Sequence, residues 1–143
     1  MRKRFSLKLE PCPRLIFKCL IFEFFVLQAI SRISTQPFGY FLMVRFKKCL
    51  IDTSNFSGLD LKNGMFHECV IRDTYFKESN LTGADFTKSD LARSIFHNTN
   101  LSKSNFRGAM NYSINPLTNT LSKARFSKPE VLSLLDHMDI VMD

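Results

Sequence analysis

The chain has 143 residues, 45% hydrophobic and 23% charged, a globular composition long enough for one domain that needs no metal or disulfide staple. The formal net charge of +7 divides as +6 over residues 1–45, +4 over 46–126 and −3 over 127–143. This excludes a strongly acidic duplex mimic and gives the middle of the chain only a mild basic balance, so direct nucleic-acid binding is not the expected mode.

Residues 1–45 form a segment of their own. The stretch from Leu15 to Ile30 is apolar and follows a basic start, the outline of a signal peptide or membrane anchor. Lys18 and Glu23 interrupt it, and no good cleavage site follows, which argues against both. Three readings stay open: a cap on the domain that follows, contact with a membrane surface, or a stretch preceding an ancestral start at Met43, where "MVRFKKCLIDTSNF" makes a plausible beginning.

From Phe46 the pattern changes. Large apolar residues fall at every fifth position: Phe46, Ile51, Phe56, Leu61, Phe66, Ile71, Phe76, Leu81, Phe86, Leu91, Phe96, Leu101 and Phe106. An α-helix would rotate successive members by about 140° and leave no stripe, while a flat strand would send them to alternate faces. Two residues ahead of most stands a small one, such as Cys49, Ser54, Gly64, Cys69, Ala84 or Thr99, with Leu59 the exception. Phe and aliphatic residues alternate strictly along the series.

Segments such as "ADFTK", "SDLAR", "SNLTG" and "SNFRG" resemble the pentapeptide repeat family, in which a small residue, Asp or Asn, then Leu or Phe precede two variable polar residues. The resemblance covers residues 46–126 and implies an all-β solenoid: a right-handed quadrilateral β-helix of about four coils, each large residue pointing to the axis. Coils stacked at the ~4.8 Å sheet spacing then make a rod about 19 Å tall. Each inner wall is chemically uniform, with Phe46, Phe66, Phe86 and Phe106 in one ladder. Cys49 and Cys69 occupy small-residue positions twenty residues apart and read as small buried hydrophobes, which fits a reducing cytoplasm.

Asn111 and Pro116 fall on inner positions that suit neither, yet Leu121 and Phe126 return in phase. Residues 111–120 are therefore expected to form a loop replacing two sides of the last coil, with Asn-Pro as its turn signal. Beyond it, residues 127–143 read as a C-terminal helix that caps the rod or pairs two chains. "SKPE" has the form of a capping box with Ser127 as N-cap and Glu130 three residues on, and Val131, Leu134, Leu135 and Met138 supply the candidate dimer face. This tail is similar to that of the quinolone-resistance, topoisomerase-modulating subgroup of the family.

No catalytic, cofactor or metal constellation is expected. His67 and His97 fall on different sides of the square, and Asp60, Asp85 and Asp90 occupy the repeat's own Asp/Asn position, where turn hydrogen bonds account for them. A filled interior leaves the outer surface for function. Leu50 and Val70 on one side, and Tyr75 and Ile95 on the next, are apolar where polar residues are usual, and are the candidate partner-binding residues. The expected function is a non-catalytic, cytoplasmic protein-interaction scaffold. The family resemblance offers modulation of DNA gyrase or topoisomerase IV as the alternative. A third reading is nucleic-acid or membrane-surface binding through Lys47, Lys48, Lys88 and Arg107 on one side.

Overall fold

The computed structural model describes residues 5–8 and 42–138. Short strands follow one another around a rod: β1 (Phe5–Lys8), β2 (Leu42–Lys47), β3 (Leu50–Asp52), β4 (Met65–His67), β5 (Val70–Arg72), β6 (Ile95–Phe96), β7 (Asn105–Phe106), β8 (Ser113–Ile114) and β9 (Arg125–Phe126). Among the described residues every strand pairing is parallel. Most join residues twenty apart, as in Phe46 with Phe66, Ile51 with Ile71 and Phe106 with Phe126, and single bridges such as Asn80 with Asn100 continue the ladders between strands. The five-residue register thus becomes a four-sided coil of twenty residues.

The corners repeat as strictly as the core. Two residues after each inward side chain from Phe46 to Phe106, and again after Leu121, the backbone turns to positive φ, as at Lys48 (56°), Glu68 (54°), Lys88 (58°), Arg93 (57°) and Gly108 (66°). At several corners an i to i+3 hydrogen bond closes the turn, for example from Ala84 N–H to Leu81 O at 3.0 Å. A turn of this kind with positive φ at its third residue is of type II, where Gly is the residue of choice. Lys, Glu or Arg stands at seven of these corners instead, and Thr, Asn or Asp at four more. Each carries a steric cost of about 1 kcal/mol, offset by the stacking that every corner makes possible.

Inside, Phe56, Phe66, Phe76, Phe86 and Phe106 are fully buried, as are Leu61, Ile71, Leu81, Leu91 and Leu101. Phe66, Phe86 and Phe106 stack nearly parallel with centroids 4.8 and 4.9 Å apart, and Phe56, Phe76 and Phe96 stack at 5.2 and 5.1 Å. Across the axis the two columns meet edge to face, Phe66 to Phe76 at 5.9 Å and 87°. Both arrangements are favourable for the ring quadrupole. The small residues are buried beside them, and their hydroxyls join the coils. Ser94 Oγ donates to Ile71 O at 3.0 Å and Thr99 Oγ1 to Phe76 O at 2.7 Å, while Ser89 Oγ donates to Phe66 O. Each ties one coil to the coil before it and satisfies a buried carbonyl.

Residues 111–120 differ from the expected loop. β8 lies inside them, paired with β6 so that Phe96 aligns with Ile114 rather than Pro116, and Ile114 is fully buried. Between Met110, bridged to Asp90, and Ser113, paired with Ile95, the side has lost two residues. The turn from Asn115 to Asn119 restores them before Thr120 bridges Asn100, which is why Leu121 and Phe126 return in phase. Asn119 holds that turn, its Nδ2 donating to Asn115 O at 2.9 Å and Phe96 O at 3.1 Å. Leu121 and Phe126 close the core half-buried, and Phe126 stacks on Phe106 at 5.2 Å.

Tyr112 fills the shortened side, its ring centroid 5.7 Å from those of Phe106 and Phe126. Its hydroxyl is buried with no hydrogen-bond partner among the described residues. Burial, and then the nearby Glu130 carboxylate, push the phenol up to about 12. The unfolded chain therefore loses this proton first, near pH 10, so the folded state loses stability as pH rises from about 10 to 12 and gains nothing below. Tyr112→Phe is expected to raise stability by about 1 kcal/mol at neutral pH and to flatten this alkaline decline, read by denaturant melts of both proteins at pH 7, 10 and 11.

The C-terminal element is a 3₁₀ helix, Glu130–His137, with Pro129 at its start and no side-chain cap. The expected capping box is absent because Ser127 Oγ is engaged elsewhere, accepting the Gly108 N–H at 2.8 Å, while Ser133 Oγ bonds within the helix to Glu130 O at 2.9 Å. The helix lies against the shortened side, with His137 Nε2 3.2 Å from Ser113 Oγ and Leu134 packed on the core. At the other end, β1 aligns Phe5 with Leu42 and Lys8 with Arg45, so backbone from the N-terminal segment pairs with the first coil. The readings of that segment as a cap, a membrane contact or a dispensable stretch fall largely on residues 9–41, outside the described residues.

Candidate functional site

Each coil presents four outer sides, and stacking turns every outward position into a ladder along the rod. Side two carries Leu50, Val70, Asp90 and Met110 in one ladder, and side three carries Asn55, Tyr75, Ile95 and Ser113 in the next. The structure thus puts Leu50 with Val70 and Tyr75 with Ile95, on neighbouring sides. Leu50 and Val70 are half-buried, whereas Tyr75 and Ile95 are 43% and 40% exposed. Met110, 47% exposed, joins side two. It lies at the end of the repeat, where the sequence pattern breaks, and its twenty-residue offset from Asp90 is the one signal of its place.

Charged groups surround these apolar residues. Arg93 grips Asp73 with two bonds of 2.6 Å, and Arg72 Nη2 reaches Asp90 Oδ2 at 3.0 Å. The Arg93 hydrogen bonds hold the Asp73 carboxyl below its ordinary value. Desolvation acts to raise Asp90, but Asn111, Arg72 and the Ala92 N–H outweigh it and leave that carboxyl lowered too. Lys77 Nζ sits 5.6 Å from the Tyr75 ring centre. Exposed ion pairs contribute little to stability, so these fix the shape and charge of the rim more than they hold the fold. Tyr75 and Ile95 thus give an aromatic and aliphatic centre, and beside it the Asp90–Arg72 pair stands between Val70 and Met110 on side two, a mixture of apolar and charged groups that protein interfaces also carry.

His67 and His97 lie on different sides, and His67 pairs with Glu68 at 3.2 Å. Asp60, Asp85 and Asp90 each accept a backbone N–H two residues on, the turn role expected of them. Cys49 and Cys69 are free thiols in adjacent coils. Each thiol donates to a carbonyl two residues back, Lys47 O and His67 O, both at 3.4 Å, and the neighbouring thiols shift each other, lowering Cys49 and raising Cys69. Among the described residues no group of three or more His, Cys, Asp or Glu side chains is placed to hold a metal ion. No helix among them is long and apolar enough to cross a membrane.

Parallel coils, twenty-residue stacking and inward Phe and Leu ladders define a right-handed quadrilateral β-helix whose surface exposes Tyr75, Ile95 and Met110, as well as Leu117 and, at the C-terminal helix, Leu132 and Met138. A family model for the pentapeptide repeat region matches residues 40–115, more than half of the chain, and the chain belongs to the pentapeptide repeat family. A search of curated proteins gave no match. Among solved structures it is similar to HetL, a pentapeptide repeat protein involved in heterocyst differentiation regulation from the cyanobacterium Nostoc sp. strain PCC 7120. Identity is 17% and the TM-score 0.47, over 57% of this chain and 44% of HetL. It is also similar to QnrB1, a plasmid-mediated fluoroquinolone resistance protein, at 10% identity and a TM-score of 0.47, over 69% of this chain and 42% of QnrB1. A third is a pentapeptide repeat protein from the Arabidopsis thaliana thylakoid lumen, at 19% identity and a TM-score of 0.31, over 55% and 61% of the two chains. The chain thus covers less than half the length of HetL and of QnrB1.

Proposed function

We propose that this protein is a non-catalytic interaction scaffold of the cytoplasm, and that its protein partner docks over Tyr75, Ile95, Val70 and Met110. The observation that carries this reading is the placement of exposed Tyr75, Ile95 and Met110 on adjoining sides of a rod whose interior is filled by its own ladders. Buried free thiols in neighbouring coils agree with a reducing compartment. Modulation of a type II topoisomerase is the alternative, drawn from the tail. It calls for an acidic, duplex-like face, whereas side two, the most acidic, pairs Asp73 and Asp90 with Arg93 and Arg72. Gyrase supercoiling with and without a quinolone reads that alternative directly.

The scaffold reading is tested by affinity capture from the native cell, comparing the parent with Tyr75→Asp/Ile95→Asp and with the control Lys62→Gln on side four, the side of the Asp60, Asn80, Asn100 and Thr120 ladder. A partner retained by parent and control, and weakened at least tenfold by the patch variant, is the expected result. Equal retention by all three proteins rejects the patch as the docking site.

A further inference from the structure

Wrapping the chain sorts its charges in a way the net balance conceals. Side one bears Arg45, Lys47, Lys48, Lys88, Arg107 and Arg125, all exposed, against the acids Glu68 and Asp85. The ladders prove that they share one side: Arg45 pairs with Met65, Met65 with Asp85, Asp85 with Asn105, and Asn105 with Arg125. Lys47 aligns with His67, and Lys88 N–H bonds to Arg107 O at 3.0 Å. Glu68 is shared between Lys48 at 3.6 Å and Lys88 at 3.9 Å. Desolvation acts to raise its carboxyl, but Lys48, His67 and Lys88 outweigh it and hold it lowered. Arg45, Lys47, Arg107 and Arg125 make no ion pair among the described residues.

We propose that side one is a docking surface for the phosphate backbone of double-stranded nucleic acid, bound without regard to sequence. Five rungs from Arg45 to Arg125 span about 19 Å, a length over which a duplex presents about eleven phosphate charges at one per ~1.7 Å. Thr87 and Asn105 stand among the cations with their side chains bonded to Asp85 and to each other, so Lys and Arg supply the contacts to phosphate oxygens. None of the exposed large apolar side chains of the described residues lies on this side. It therefore lacks both the aromatic anchors of a protein interface and the apolar wedge that seats a protein in a lipid surface. The surface is distinct from the patch on sides two and three, so one rod can hold a duplex and a protein partner together.

The test is fluorescence anisotropy of the full chain with a labelled 20-base-pair duplex of arbitrary sequence, between 50 and 200 mM salt. With about four unpaired cations engaged, log affinity should fall against log salt with a slope of about −3 to −4, a loss of roughly a hundredfold over this range. Arg45→Glu/Lys47→Glu/Arg107→Glu should abolish binding. The side-four triple Lys62→Glu/Lys103→Glu/Lys123→Glu, with the same change in net charge, should stay within about threefold of the parent. Melting curves establish that each variant is folded, and a Gln version of the side-one triple, expected to lose at least tenfold, serves if the Glu version is not. Absence of binding by the parent at 50 mM salt overturns the proposal. So do equal effects of the two triples, and so does tighter binding to polyglutamate or to anionic phosphatidylserine vesicles than to the duplex at equal salt.

Discussion

Phe86→Ala lowers the stability of the domain by about 3–5 kcal/mol, and Phe86→Lys leaves no folded protein at all. Phe86 is fully buried at the middle of its column, stacked on Phe66 and Phe106 and set edge to face against Phe76 and Phe96 at 5.9 and 6.1 Å. Truncation to Ala removes a partner from four rings at once, and stacked coils above and below cannot close the gap because their spacing is fixed by the backbone ladder. A lysine there has no acceptor for its charge. Lys88, two residues further on, points outward and makes only an exposed contact with Glu68, so Lys88→Gln should stay within about 0.5 kcal/mol of the parent. Thermal and denaturant melts of the three variants read the contrast. A parent-like melt for Phe86→Ala would contradict the inward register.

The register is legible because one physical demand, a large side chain facing the axis at every side of the square, is written at a fixed spacing from Phe46 to Phe106. Features set by what a residue touches across coils are not. Lys48, Glu68 and Arg93 give no sign in sequence that they stand at positive φ; only the repetition of the corner imposes it. Ile114 sits off the five-residue register, so counting puts Pro116 on the inner wall, whereas the chain shortens one side and lengthens the next. Ser127 has the look of an N-cap, but its oxygen takes the Gly108 N–H from the coil beneath. The apolar patch is readable for Tyr75 and Ile95 because each interrupts a polar series. Met110 escapes the pattern where that series ends, and Arg45 and Arg125 join the basic side only once the rungs are aligned.

The C-terminal helix distinguishes two roles that the sequence leaves together, closing the rod and pairing two chains. Of the candidate dimer residues, Leu134 packs on the core, Val131 and Leu135 are half-buried, and Met138 is exposed, as is Leu132 beside them. Leu134 is therefore the residue whose packing suits a cap, since it rests on the core while the helix lies against the shortened side. Leu134→Asp should cost about 2–4 kcal/mol, since it both removes an apolar contact and brings a carboxylate against a core that offers it no partner. It should also expose the backbone edges of the last coil, which have no further coil to pair with and can recruit strands from other molecules. Leu132→Asp, on the exposed face, should leave the melt unchanged. Light scattering separates the two roles. A cap predicts that Leu134→Asp melts early and forms larger species, whatever the state of the parent. A pairing face predicts the reverse, a dimeric parent that becomes a stable monomer when Leu132 or Met138 is replaced by Asp.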